Sequence, residues 1–305
     1  MAATETYDAP ALVDLGNALR GTGYRFVTIT PESHRRVIAR AEIARDVRDV
    51  FGWSRPFSPS LLSKEIGQAL ARSRAFHLRP DGLLQSEVRF SSLDNGLYAH
   101  SAYPTVGADA VFFGPDTYRY CAFLRRILTR IGRVVDVGCG SGAGGLVLAE
   151  RAREVVLGDI NAGALLFSRV NAELAGASTT IVHSDVLAGI EGPIDAVISN
   201  PPYLVDAAAR AYRDGGDGLG TGLALRIVRE SLARLSPGGR LLLYTGAPVV
   251  AGKDVFRAHV LPILAARGAS FEYDELDVDV FGEELSLPAY RDVERIAVVT
   301  LVATV

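Results

Sequence analysis

The chain has 305 residues, 49% of them hydrophobic and 22% charged, with a net charge of -3; this excludes a disordered chain and a bulk-basic binder of nucleic acid or membrane surface, and leaves ample core for one large domain or two smaller ones. Its two cysteines, Cys121 and Cys139, make no disulfide framework and match no zinc spacing, so no metal is expected. The start, Met1 to Asp8, has no basic or apolar signal region, and the longest largely apolar run, Ile296 to Val305, has about half the roughly 20 residues that span a bilayer, so a cytoplasmic protein without membrane contact is expected.

From Pro10 to about Arg79 the pattern is helical and irregular. Leu12, Leu15 and Leu19 recur at helical spacing, Val37 to Val50 reads as a second amphipathic stretch, and Ser60 or Ser63 caps a third helix through Ala71. Pro80-Asp81-Gly82 is a turn, after which Leu83 to Phe90 and Leu97 to Ala102 read as strands across the Asp94-Asn95-Gly96 hairpin turn. Helices followed by a β-hairpin suggest a small winged-helix-like or accessory substrate module over 1–105. Its arginines, among them Arg35, Arg36 and Arg40, are either an acidic-partner grip or a solvated face. Phe112 to Tyr118 then leads into a helix through Leu128, started by Gly114-Pro115-Asp116-Thr117.

From Arg133 strand and helix alternate, which implies a parallel sheet with helices on both faces over 106–305. The expected strands are 134–137, 155–158, 180–182, 196–198, 241–245, 271–278 and 296–302, seven in all. Gly138-Cys139-Gly140-Ser141-Gly142 follows the first and opens a helix from Ala143 to Arg151; its glycines let backbone approach a ligand, and the helix start offers N–H groups. Asp159 ends the second strand, twenty-one residues past Gly138, where an acid holds ribose hydroxyls. Ser184-Asp185 ends the third, in reach of an adenine amino group. The fourth stops at Asn200-Pro201-Pro202-Tyr203, where successive prolines remove donors and fix φ, leaving a rigid shelf with a side-chain amide, bare carbonyls and an aromatic ring. Gly138-x-Gly140-x-x-Ala143 also satisfies a dinucleotide fingerprint, but an acid two residues before it, at Asp136, is unwelcome to a diphosphate. An acid-lined pocket suits a cation, and S-adenosylmethionine carries a sulfonium and an ammonium.

Together Asp136-x-Gly138-x-Gly140-x-Gly142, Asp159, Asp185 and Asn200-Pro201-Pro202-Tyr203 resemble a class I S-adenosylmethionine-dependent methyltransferase of the Asn-Pro-Pro-Tyr amino-methylating group. Tyr212 to Leu219 resembles the Asp-Gly-Gly-x-Asp-Gly-Leu segment of the HemK-type release-factor glutamine methyltransferases, one residue shorter here, and Phe113 to Thr117 sits where that family has its substrate-and-cofactor entry motif. The resemblance covers about 106–305; the first hundred residues, with their hairpin, do not resemble that family's helical substrate domain. It implies a Rossmann-like, seven-stranded class I sheet and S-adenosyl-L-methionine as cofactor, S-adenosyl-L-homocysteine as product, with no metal.

The implied cofactor set is Asp136 and Gly138, Gly140 and Gly142 at the methionine end, Asp159 at the ribose, Ile160 on the adenine face, Asp185 at its amino edge, with Val186 and Asn200. Asn200, Pro201 and Tyr203 are the implied catalytic residues: hydrogen bonds from the acceptor NH2 to the Asn200 side chain and the Pro201 carbonyl orient a nitrogen whose lone pair is delocalised, and Tyr203 stacks on its plane. Phe113, Asp116, Thr117, Tyr203, Tyr212, Arg213 and Tyr290 are the substrate-contact candidates, and 281–290 is a candidate lid. The acceptor is expected to be an amide or amino nitrogen of a protein or an RNA; a small-molecule acceptor and a non-catalytic adenosyl-binding module are the alternatives.

Overall fold

The computed structural model describes residues 7–208 and 210–305; residues 1–6, part of the stretch read above for a missing signal, lie outside them. Asp8 opens α1 (Ala9–Gly21) by accepting the Ala11 N–H, and Leu12, Leu15 and Leu19 turn inward as their spacing predicts. The stretch 37–50 is not one helix. Pro31 behind the Thr30 cap starts α2 (Pro31–Ile38), and Asp46 caps a separate α3 (Val47–Phe51), because capping side chains settle helix starts more firmly than a loose apolar rhythm does. Ser63, not Ser60, caps α4 (Lys64–Ser73).

Two antiparallel pairs follow, β1 (Phe76–Leu78) with β2 (Leu84–Ser86), and β3 (Val88–Leu93) with β4 (Gly96–Ser101). The strand expected over 83–90 therefore breaks at Glu87. There the N–H goes to the Ala75 carbonyl, while the carboxylate takes the Tyr7 hydroxyl at 2.9 Å and faces His77 at 3.1 Å.

The remainder runs α5 (Pro115–Ile127), β5 (Ile131–Val137), α6 (Ala143–Leu146), β6 (Ala152–Asp159), α7 (Ala162–Leu174), β7 (Thr180–His183), β8 (Ile194–Ser199), α8 (Asp217–Gly220), α9 (Gly222–Arg234), β9 (Leu235–Val250), β10 (Lys253–Asp254), α10 (Val255–Arg267), β11 (Ser270–Asp277) and β12 (Arg295–Thr304). Seven of these strands lie in the order β11-β12-β9-β8-β5-β6-β7, with two-residue β10 paired to the end of β9. β5 to β9 are parallel, and β12 runs antiparallel to both its neighbours. Alternate residues serve opposite faces: Val135, Val197 and Leu241 pack with α9 and α10, whereas Val134, Ala196 and Leu242 pack with α5 and α6. The order reverses between β5 and β8, and the crevice beyond their carboxyl ends is where such sheets bind ligands.

Helix α7 has no counterpart among the expected elements, and it is what seats the N-terminal module. Phe167, Val170 and Leu174 join the core of α1, α4 and the β3–β4 hairpin. The buried Asn171 amide clamps β4 through both backbone groups of Ala99 (2.7 and 2.9 Å) and donates to the Ser141 carbonyl in the glycine-rich turn (2.9 Å). The hairpin is thus tied directly to the loop that follows β5.

Candidate active site

The crevice at the strand-order reversal opens into a cavity of about 420 Å³. It gathers Gly138 and Gly140 after β5, Asp159 and Ile160 after β6, Asp185 and Val186 after β7, and Asn200, Pro201 and Tyr203 after β8. Asp116 and Thr117 of α5 and Tyr212 and Arg213 of the following loop line it too. Asp136, Gly142, Phe113 and Tyr290 do not, and each is placed for a different task.

Asp136 is buried beneath α6, where its carboxylate accepts the Gly145 N–H at 2.7 Å and faces the Tyr120 hydroxyl at 3.4 Å. That bond takes up an N–H the helix start was expected to offer a ligand. It also accompanies a correction: α6 stops at Leu146 instead of running to Arg151, since two successive glycines propagate a helix poorly. Burial pushes the Asp136 carboxyl up to about 7, partly opposed by those two hydrogen bonds. Gly138 and Gly140 hold positive φ (67° and 55°), and nothing lies within 4 Å of where a Gly138 side chain would start, so the turn leaves its space to the cavity. Asp159 braces the turn from the next strand: one carboxylate oxygen accepts the Gly140 N–H and the other the Asn161 N–H, each at 2.9 Å. Burial raises its pKa, with the backbone N–H groups of Asn161, Gly140 and Ile160 opposing. Ile160 leaves 57% of its surface open, an apolar face on the cavity wall. The Asp185 carboxylate is held by Arg226 of α9 through two bonds of 2.8 and 2.9 Å.

At the end of β8 the Asn200 side-chain amide has no hydrogen-bond partner among the described residues, and the Pro201 carbonyl accepts no bond from them. Tyr203, by contrast, is held at its hydroxyl and along its ring. Its hydroxyl donates to Asp116 Oδ2 at 2.5 Å, the Tyr244 hydroxyl donates to Oδ1 of the same carboxylate at 2.9 Å, and Arg119 closes the group at 3.3 Å. The ring lies against Gly246, where even a methyl group would come within 2.1 Å of it, and meets the edge of Phe281 at 6.0 Å. Burial and the adjacent Asp116 carboxylate hold the Tyr203 phenol well above its ordinary pKa. Asp116, a substrate-contact candidate by sequence, is therefore the anchor of the shelf's aromatic ring.

The loop after the shelf supports it from behind. Leu204 exchanges backbone bonds with Arg213 and Gly215 (3.1 and 2.8 Å), and Gly220 sits against the Tyr203 carbonyl. The glycines of 215–220 are what permit that approach. Tyr212 reaches across to the Thr105 carbonyl (2.6 Å) and stacks on Phe112 at 6.2 Å, closing the rim with the linker. Arg213 pairs with Glu284, and the buried Tyr290 hydroxyl accepts the Val205 N–H at 2.7 Å. The 281–290 segment thus packs behind Tyr203, with Phe281 alone reaching the cavity lining.

Residues 121–250, from α5 to the end of β9, match the family described as the methyltransferase small domain. The matched stretch holds the glycine turn, Asp159, Asp185 and the Asn200 shelf, and leaves outside it the N-terminal module, the helical start carrying Asp116 and the 281–290 segment. The chain is 38% identical over 156 residues to the release factor glutamine methyltransferase of Deinococcus radiodurans, covering 44% of this chain and 55% of that one. It is 37% identical over 115 residues to the ribosomal RNA small subunit methyltransferase C of Chromohalobacter salexigens, covering 38% of this chain and 32% of that one. It therefore spans about half or less of the length of these relatives. Among solved structures, Trm5b from Pyrococcus abyssi superposes with a TM-score of 0.52 at 15% identity, over 79% of this chain and 68% of that one. TYW2 of M. jannaschii, solved in complex with AdoMet, gives 0.50 at 12% identity, over 75% and 92%. The fold is the Rossmann-like methyltransferase sheet that the sequence resemblance implied. Among the described residues no cluster of three or more His, Cys, Asp or Glu side chains is placed to hold a metal, and no helix is long and apolar enough to cross a membrane.

Sequence reasoning left out Tyr244, Arg119 and Gly246, whose link to the shelf is purely tertiary. It also left out three side chains of the N-terminal module, Thr28, His34 and Arg89, that complete the cavity wall. Only their position, not their local pattern, marks them.

Proposed function

We propose that the chain is a cytoplasmic S-adenosylmethionine-dependent N-methyltransferase acting on a planar amide or amino NH2 of a protein or nucleic acid. The observation that carries this reading is the unpartnered Asn200 amide beside a bare Pro201 carbonyl and an immobilised Tyr203 ring, in one cavity with the glycine turn and Asp159. The crevice fits S-adenosylmethionine: the open space at Gly138, the apolar face of Ile160 and the remaining acceptor capacity of the Asp159 and Asp185 carboxylates match the ribose hydroxyls and the amino edge of an adenosine. In this reading Gly138, Gly140, Asp159, Ile160, Asp185 and Val186 hold the cofactor, and Asp136 and Gly142 shape the turn that does so. When bound, the cofactor supplies a methyl group that the sulfonium makes electrophilic.

The protein's part is positioning. Asn200 Oδ1 and the Pro201 carbonyl accept the two acceptor N–H groups, which aims the nitrogen lone pair and offsets the positive charge that develops on it. Tyr203, held by Asp116, Tyr244 and Gly246, presents a fixed face to the acceptor plane. Thr117, Tyr212 and Arg213 are lining contacts for the acceptor, while Phe113 and Tyr290 act through packing. Residues 1–105 are an acceptor-recognition module.

The names of the two relatives support both macromolecular acceptors, a release-factor glutamine and small-subunit ribosomal RNA. A small-molecule acceptor is favoured by one observation, the closure of the rim through the Tyr212–Thr105 bond. Incubating the protein with methyl-labelled S-adenosylmethionine and host extract, then separating protein, RNA, DNA and small molecules, tests the reading. Label in one fraction, absent with Asn200→Ala, is the expected result; no label in any fraction contradicts it.

A further inference from the structure

The wall that the N-terminal module adds to the cavity carries a charge without a counter-ion among the described residues. Arg89, on β3, is 3% exposed and lines the cavity. Its Nε donates to the Gly52 carbonyl at 2.9 Å and its Nη2 to the Thr28 hydroxyl at 3.2 Å, while Nη1 donates to nothing among the described residues. No carboxylate among those residues pairs with it. The neighbouring Arg55, also buried, shows the usual arrangement, with Asp49 at 2.7 Å. Burying a cation without a counter-ion is costly, and folded proteins seldom tolerate it without a purpose.

Its surroundings deepen the asymmetry. The Thr28 hydroxyl passes its proton toward Ser91 (2.5 Å), and Ser91 toward His100 Nε2 (2.8 Å), whose Nδ1 faces the Ser101 carbonyl (3.0 Å). This relay orients every hydroxyl away from Arg89 and supplies no negative charge. His34, also on the cavity wall, faces the Trp53 carbonyl through Nε2 at 3.0 Å, and its buried Nδ1 has no partner. With Nε2–H donating to that carbonyl, Nδ1 is a free acceptor; burial and the Arg89 charge depress the His34 pKa to about 4, which keeps the ring neutral. The acids on the cavity wall are otherwise engaged: Asp116 with its tyrosines, Asp159 with backbone, Asp185 with Arg226.

We propose that Arg89, with His34 beside it, is the anion-binding end of the acceptor subsite, so that the methyl acceptor carries a carboxylate or phosphate next to a hydrogen-bond donor. The inference rests on the reading of the cavity as a methyl-transfer site and names the class of its substrate. A planar guanidinium fork suits either oxyanion. A nucleotide phosphate with its ribose hydroxyl and an amino-acid carboxylate with its ammonium both meet the requirement.

The test is thermal melting of the full chain in low-salt buffer with inorganic phosphate or acetate as probe, in wild type, Arg89→Gln and Arg89→Lys. Wild type should melt higher with one of the probes, and the more effective one points to a nucleotide (phosphate) or an amino acid (acetate). Arg89→Gln should melt at least as high as wild type without a probe, since a buried unpaired charge is gone, and should lose the probe-induced shift. Arg89→Lys should need about tenfold or more probe for the same shift, the fork being lost. No shift in wild type, or an equal shift in Arg89→Gln, overturns the proposal; if Arg89→Gln fails to fold, a probe response of Arg89→Lys equal to wild type does so. S-adenosylhomocysteine affinity should be unchanged in both variants. An intact probe shift with no methyl transfer to any acceptor would count against the transferase reading alone, and full transfer by Arg89→Gln against the anion subsite alone.

Discussion

Removing the Asp116 carboxylate should release the shelf's aromatic ring, and the cost can be worked from three contacts. Two buried hydroxyls, Tyr203 and Tyr244, donate to that carboxylate at 2.5 and 2.9 Å, while Arg119, 40% exposed, adds little beyond orientation. An orphaned buried hydroxyl costs roughly 1–3 kcal/mol, so Asp116→Ala should destabilise by about 3–4 kcal/mol. Tyr203→Phe removes one donor but leaves the carboxylate satisfied by Tyr244 and Arg119, and should cost about 1–2 kcal/mol. In the double variant the ring carries no hydroxyl to be orphaned, so the cycle should show a coupling of about 1.5–3 kcal/mol. Urea denaturation read by midpoint at unchanged slope measures all four corners. A coupling within about 0.5 kcal/mol of zero would mean that Asp116 does not hold the ring, and the argument for a pre-positioned Tyr203 would fail.

Three further outcomes follow from the same geometry. Gly246→Ala puts a methyl group 2.1 Å from the Tyr203 ring; it should destabilise by about 1–3 kcal/mol and lower turnover more than cofactor affinity, and normal turnover would refute the contact. Asp159→Ala should weaken S-adenosylmethionine binding about tenfold or more by calorimetry, since it frees the Gly140 and Asn161 N–H groups as well as removing the ribose acceptor. Asp136 has an ordinary pKa of 3.8 and a folded value of about 7. Its contribution to stability is therefore complete below about pH 4 and is lost as pH rises through 7, so Asp136→Asn should show a flatter urea midpoint between about pH 5 and 8 than wild type; parallel profiles would contradict it.

The alternation of apolar strand and helix after Arg133 carried the parallel sheet, because the centres of β5, β6, β8 and β9 are buried on both faces and read as valine- and leucine-rich runs, while only the edge strand β7 stays partly open. The two antiparallel strands at 271–278 and 296–302 were equally visible, and β11 and β12 occupy them. The helix Ala162–Leu174 is legible in principle, with Asn161 capping through Gly163 and apolar residues at helical spacing. The strand break at Glu87 was not legible, since it depends on Tyr7 and on Ala75 from other elements.

At the site, motif residues that touch the ligand space through their own turn, such as Gly138 and Asn200, could be placed from spacing. Asp136 could not, because its burial under α6 follows from the Gly145 N–H pointing back at it. Asp116 was legible as a contact candidate but not as an anchor: its partners Tyr203 and Tyr244 lie 87 and 128 residues away. Arg89 and His34 carry no local signal at all; only the tertiary packing of the N-terminal module brings them to the cavity.

The most direct measurement compares turnover and cofactor affinity in Asn200→Ala, with the labelled-methyl assay for the first and calorimetry for the second. The amide is assigned a bond that matters in the transition state and no structural partner, so turnover should fall on the order of a hundredfold or more. Binding of S-adenosylmethionine and the urea midpoint should stay near wild type. Near-normal turnover in that variant would contradict the assignment of the Asn-Pro-Pro-Tyr shelf as the place where the methyl group is transferred.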